Sequence, residues 1–185
     1  MNVSLEPSSA SNCMEGLVDI ETGNQRQADE VKILAGFFAG EGHIAIRKGN
    51  KKQKAQSLYV EVGNTESFWA HKFQNLFGGS VSTTFPKRAR ALPYYHWSAK
   101  DSDAIRCLRA IFPFLLGEKR QQAIIALKLA EMKVGHTGWY TAEEHASMER
   151  LKEEMQALRR AAAETKRMSA QPMRSDSPIL QVIAD

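Results

Sequence analysis

The sequence predicts an α+β protein, an antiparallel sheet covered by helices on one face and open on the other. Its apolar residues switch twice from helical spacing to strict alternation. Each alternating stretch has a turn-forming centre, as a hairpin requires. The rest is helical in pattern, so the order reads helix, hairpin, helix, hairpin, helices. Antiparallel sheets of this kind pack one face and solvate the other.

Residues 1–28, rich in Ser, Asn, Gln and Gly without a sustained period, read as a disordered leader. From Asp29 the spacing of Val31, Ile33, Leu34, Phe37 and Phe38 predicts a helix to about Glu41, with Gly42 as its stop. Ile44 and Ile46 then alternate with His43, Ala45 and Arg47, which makes a half-buried strand. After a lysine-rich turn, residues 57–63 form its partner, with Leu58, Val60 and Val62 inward and Ser57, Tyr59 and Glu61 opposite. Ser67 can cap a helix carrying Phe68, Trp69, Phe73, Leu76 and Phe77, which ends at Gly78-Gly79. The second hairpin pairs residues 80–85 with 94–98 across a loop bounded by Pro86 and Pro93.

Asp101 or Ser102 caps a helix over about 104–111 that Pro113 breaks, and 118–134 is a further amphipathic helix. Thr141-Ala-Glu-Glu144 is a capping box opening a helix with Met148, Leu151, Met155 and Leu158 at spacings of three and four. The chain thus divides into a leader, a core over 29–134, a helical extension over 135–168 and a flexible tail over 169–185. Trp69, Trp97 and Tyr95 fall on apolar faces and read as core. The extension's apolar seam reads as packing on its own domain.

The 185 residues, 43% hydrophobic and 25% charged, suffice for one sizeable core. No apolar run approaches the ~18–20 residues of a membrane span, and the N-terminus lacks the basic and apolar regions of a secretory signal. Cys13 and Cys107 show neither CxxC nor Cys/His ligand spacing, and His71, His136 and His145 show none either. A reducing, intracellular compartment without a zinc site is expected.

Charge is unevenly spread. Residues 29–133 carry 17 Lys and Arg against 9 Asp and Glu, whereas the flanks are slightly acidic. The basic clusters are Arg47-Lys48 with Lys51, Lys52 and Lys54, and Lys87-Arg88 with Arg90. Charge alone fits a solvated basic surface as well as a polyanion partner. The alternation adds that His43, Arg47, Tyr59, Glu61, Ser80, Ser82, Thr84, Tyr94 and His96 share the open face between the two clusters, as a reading surface would.

The segment from Leu34 to Gly42, LAGFFAGEG, holds two oddities. Gly36 and Gly40, with Ala35 and Ala39, make a ridge without side-chain bulk, despite mid-helix glycine costing roughly 1 kcal/mol relative to alanine. That ridge admits a second helix closely, within the core or across a dimer. Glu41 stands at a helix C-terminus, where the dipole disfavours a carboxylate by about 0.3–1 kcal/mol. Such a carboxylate is either simply exposed or, beside unpaired carbonyls, a site for a hard divalent cation.

LAGFFAGEGHI and the strand after it resemble the LAGLIDADG motif of homing endonucleases in its LAGFxxGEG form. The element order matches that family's αββαββα core with its saddle-shaped sheet, over about residues 29–133. Pro113-Phe114-Leu115 and Lys119-Arg120-Gln121-Gln122-Ala123 resemble its late PFL…K.Q stretch. A single motif implies the homodimeric branch, with motif helices packed together through Gly36, Phe37 and Gly40. The resemblance implies a site-specific, divalent-metal-dependent DNA endonuclease, of the kind that homes introns or inteins, cutting a long pseudo-palindromic duplex. Glu41 falls on the metal-binding acid, with the Gly40 carbonyl beside it, and Mg²⁺ or Mn²⁺ is the implied cofactor. Lys119 falls on the basic residue that stabilises charge near the scissile phosphate, and Asn64 near a polar position that organises active-site water. Ala39 departs from the pattern, standing where the motif's first acid stands.

On this reading Arg47 would take guanine and Glu61 accept from cytosine in the major groove, while Lys48, Lys51, Lys52, Lys54, Lys87, Arg88 and Arg90 would hold phosphates. The alternative is a nucleic-acid-binding protein without cleavage on the same scaffold, an intron RNA maturase or a DNA-binding regulator. Retention of Glu41 favours cleavage, because an acid beside phosphates costs a pure binder electrostatic free energy.

Overall fold

The structure is a computed structural model describing residues 11–48, 55–86, 91–136 and 139–169. Helix α1 (Ser11–Glu41) leads directly into strand β1 (Gly42–Lys48), followed by β2 (Gln56–Asn64), α2 (Ser67–Phe77), β3 (Ser80–Thr84) and β4 (Tyr94–Lys100). Helix α3 (Ser102–Ile111), a 3₁₀ turn over Phe112–Phe114, α4 (Gly117–Lys133) and α5 (Ala142–Ser169) complete it. This is the predicted α+β order. The two hairpins join through β2 and β4 into one antiparallel sheet of order β1-β2-β4-β3.

One expectation is corrected. Helix α1 begins at Ser11, not near Asp29, so residues 11–28, read as disordered, are helical. Composition reported that this stretch cannot bury a face, and residues 25–29 are indeed exposed. It does not forbid helix: no proline stands between Pro7 and Pro86, and a helix nucleated by its packed end grows at one hydrogen bond per residue. Asp29 adds local support, accepting from Gln25 Nε2 at 3.2 Å and Lys32 Nζ at 2.8 Å, which hold its carboxyl below the usual range. Residues 1–10 and the tail from 170 lie outside the described residues.

The covered sheet face supplies Ile44, Ile46, Leu58, Val60, Val62, Trp97 and Ala99 to the core, against Leu34, Ala35 and Phe38 of α1 and Phe73 and Phe77 of α2. Phe73 is the centre of this packing, with ring centroids 4.9 Å from Trp97, 5.9 Å from Phe77 and 6.2 Å from Phe38. Trp97, fully buried, donates its indole N–H to the Gly78 carbonyl at 2.8 Å. Trp97 is therefore core as predicted, and Trp69 and Tyr95 pack against it. Burial pushes the Cys107 thiol far above its ordinary range, so it is inert.

Two predicted helix caps are built differently. Ser67 is the first residue of α2 and makes no cap bond; the Asn64 side chain instead accepts the Glu66 N–H at 2.9 Å. Asp101 precedes α3 but spends its carboxylate on the Leu58 N–H at 3.2 Å and Lys133 Nζ at 2.7 Å, tying β2, β4 and α4 together. The capping box before α5 forms as expected, with Glu144 accepting from the Thr141 N–H at 2.7 Å and Thr141 Oγ1 from the Glu144 N–H at 3.2 Å. The Thr141 N–H and the Thr141 hydroxyl, both donating to Glu144 Oε2, hold the Glu144 carboxyl below its usual range. Met148 and Met155 are buried in the core, and Leu151 and Leu158 pack against it, so the extension docks on its own domain.

The α1–β1 junction has no loop: Glu41 is the last helical residue and Gly42 the first of the strand. The Phe38 ring occupies the space a Cβ at residue 42 would need. Gly42→Ala is therefore expected to cost about 1–3 kcal/mol in urea unfolding, as overpacking does; a cost under half of that would mean the ring moves freely aside.

Candidate nucleic-acid interface

Directly paired residues of an antiparallel ladder share a face. His43 pairs with Glu61, Ala45 with Tyr59 and Arg47 with Ser57; Glu61 pairs onward with Ser98 and Gly63 with His96; Ser98, His96 and Tyr94 pair with Ser80, Ser82 and Thr84. The residues predicted for the open face thus do share one surface. Ser98 and Lys100 join them, unpredicted, although the alternation from Tyr94 and His96 runs on to both.

The surface is graded. At the β1–β2 end Ala45, Ser57 and Glu61 are buried, whereas Ser80, Ser82, Thr84 and Tyr94 are exposed. Arg47 Nη2 donates to Glu61 Oε2 at 2.6 Å, and its guanidinium lies 4.8 Å over the Tyr59 ring. The Glu61 side chain is 11% exposed and that of Arg47 47%, so the carboxylate anchors and the guanidinium faces outward. Glu61 is placed to orient Arg47 more than to meet a base itself. Lys100 adds a second cation 5.8 Å from the Tyr59 ring. The Tyr94 side chain lies over Gly63, where no Cβ intervenes. Lys48 is exposed at the end of β1, while Lys51, Lys52, Lys54, Lys87, Arg88 and Arg90 lie outside the described residues.

The proposed catalytic residues gather at the opposite end of β1 from Lys48. Glu41 and Gly40 are exposed at the end of α1. Lys119, half-buried on α4, donates to the carbonyl of Gly42, the residue after Glu41. Because Gly42 pairs with Val62, Asn64 ends β2 beside this junction. Its backbone partner is Tyr95, on the face away from His43, and its side-chain oxygen is held by Glu66.

A divalent ion suits this donor set in kind. A carboxylate and the unpaired carbonyls of a helix end are hard oxygen ligands. It falls short in number: no group of three or more acidic, His or Cys side chains clusters among the described residues.

Helix α1 buries Leu34, Ala35 and Phe38 and turns Ile33, Gly36 and Gly40 outward, with Ile33 60% exposed and open space above both glycines. Phe37 is half-buried and stacks on Trp69 at 4.2 Å, so most of it is spent within the chain. Phe68 is exposed nearby, and Ala39 faces solvent.

One residue of this region was not foreseen. Arg159 of α5 places Nη2 3.2 Å from His43 Nε2. Burial, then the charge of Arg159, hold the His43 imidazole below its ordinary range; burial and the neighbouring Arg47 lower Arg159. The seam from Met148 to Leu158 announced that α5 docks, but not that docking would carry residue 159 to His43.

No protein-family model matches the sequence, and no curated protein matches it. The likeness is one of fold. An archaeal intron-encoded homing endonuclease, I-Vdi141I, solved in complex with DNA, superposes with a TM-score of 0.53 at 15% identity, covering 72% of this chain and 85% of its own. The homing endonuclease I-CvuI, solved with its target in the presence of calcium, gives 0.45 at 19% identity over 68% of this chain and 96% of that one. The LAGLIDADG homing endonuclease I-SmaMI, bound to cleaved DNA, gives 0.45 at 15% identity over 66% and 48%. The chain has the LAGLIDADG fold, with the four-stranded sheet that the sequence predicts. Among the described residues no helix is long and apolar enough to cross a membrane.

The Arg47–Glu61 pair is half exposed on the arginine side, so its coupling is modest. A double-mutant cycle with Arg47→Ala and Glu61→Gln is expected to give about 0.5–1 kcal/mol in thermal unfolding; a coupling of zero would mean the two side chains are set independently.

Proposed function

We propose that this chain is a site-specific, divalent-metal-dependent DNA endonuclease that works as a homodimer on a long pseudo-palindromic duplex. The observation that carries the reading is the loop-free junction of α1 and β1. It sets an exposed carboxylate, Glu41, at the edge of a sheet face lined by His43, Arg47, Tyr59, Ser82, Tyr94 and His96.

A two-stranded ribbon fits the major groove, and the exposed β3–β4 hairpin together with Arg47 would meet base edges there. Glu61 would hold Arg47 in a fixed orientation for guanine. Lys48 and the lysines and arginines of the two loops would contact phosphates. Glu41 and the Gly40 carbonyl would hold Mg²⁺ or Mn²⁺, completed by DNA phosphates and a second copy of the helix end. When bound, the ion supplies Lewis-acid activation and neutralises charge developing at phosphorus. Lys119, steadied on the Gly42 carbonyl, would balance charge on the phosphate beside Glu41; Asn64, turned to the other face and held by Glu66, takes no part. Two copies would pack through the exposed Ile33–Gly36–Gly40 stripe, edged by Phe37, so that each acts on one strand.

The test is cleavage of a randomised duplex library in Mg²⁺, with cut ends sequenced and Glu41→Gln run in parallel. A recurring pseudo-palindromic site is expected from the wild type, with Glu41→Gln slower by on the order of 100-fold or more while still binding. Gly36→Leu is expected to sediment as a monomer and lose double-strand cutting. A wild type that binds DNA and cuts nothing would point to the non-cleaving reading, to which Ala39 gives some support; RNA binding would then be measured.

A further inference from the structure

Helix α5 brings to the open face a cation that neither the motif nor the sheet supplies. Guanidinium nitrogens only donate hydrogen bonds, so the His43 nitrogen 3.2 Å from Arg159 Nη2 must accept. His43 is thereby neutral at Nε2, and the contact leaves the arginine's charge uncancelled. Among the described residues no carboxylate stands within ion-pairing distance of Arg159. Glu61 is engaged by Arg47, and Glu118 accepts from the Gln122 amide. Arg47 itself repels Arg159. A half-buried guanidinium next to a second one, offset at a distance by Glu118 and Glu61 but without an ion-pair contact among the described residues, is an unfavourable arrangement for the isolated chain.

It becomes favourable when an anion arrives. Lys119 from α4 holds the Gly42 carbonyl, and Arg159 from α5 holds the His43 ring. Two cations from two helices therefore converge on the two residues that follow Glu41. The anchoring is firm, since Met155 is buried in the core and Leu158 packs against it, fixing the turn of α5 that carries Arg159.

We propose that Arg159 is a phosphate-binding residue of this face, its anion being the DNA backbone phosphate beside Glu41. The inference rests on the endonuclease reading above and extends it, making the C-terminal helix part of the site and not only a brace. With one N–H on His43, the guanidinium keeps donors for a bidentate phosphate contact, which lysine cannot reproduce.

Binding to random-sequence duplex DNA, with Ca²⁺ as the divalent ion, tests this because such binding is mostly electrostatic. Arg159→Ala is expected to weaken affinity about tenfold and to lower the slope of log affinity against log salt by about 1. Arg159→Lys should keep the slope and lose part of the affinity, which a merely structural role would not produce. Arg160→Ala, exposed on the same helix, should change neither. If the wild type binds and Arg159→Ala leaves affinity and slope unaltered, the phosphate role is wrong while the endonuclease reading stands. A wild type with no affinity for duplex DNA overturns both.

Discussion

A helix that passes into a strand without a single loop residue is possible here because residue 42 has no side chain. The Phe38 ring lies where a Cβ would be. Phe38 is itself buried and leads through Phe73 to Trp97, the largest fully buried side chain. Glu41 is thereby tied to the rigid centre of the molecule, although it stands in solvent. The same junction sets the phase of β1, which decides that His43 and Arg47 face outward while Ile44 and Ile46 face the core. A one-residue slip would exchange the two sets.

The electrostatics of the face follow from that placement. An exposed ion pair contributes little to stability, so the value of Arg47–Glu61 lies in orientation: the nearly covered carboxylate keeps the guanidinium in one place over Tyr59. Around the α1–β1 junction the cation Lys119 donates to a carbonyl and Arg159 to an imidazole, both neutral groups. Glu41 is the exposed acid among them. Such a grouping has little to recommend it as a stabilising device and suits a polyanion bound together with a divalent ion.

The fold was legible in the sequence because its signals are local. Alternation from His43 to Arg47 and from Ser57 to Gly63 set both strands and their faces, and the box from Thr141 to Glu144 marked the start of α5 within a residue. The motif segment pointed to Glu41 and to the bare glycine stripe, and the structure leaves both exposed. What escaped is non-local. The partner of Glu61, the use of Asp101 as a cross-link from α3 to β2 and α4, and the arrival of Arg159 at His43 depend on how distant elements meet, which no periodicity encodes. The long N-terminal run of α1 escaped for another reason: a polar composition argues against burial, and burial is not what makes a helix.

Backbone amide shifts of the labelled protein, followed as duplex DNA is added in Ca²⁺, would locate the bound surface. The perturbed residues should cluster on β1, the open face of β2 and β4, and the α1–β1 junction, with the outward side of α2 and α3 silent. Perturbations concentrated on those helices, with the sheet face unchanged, would contradict the proposed interface.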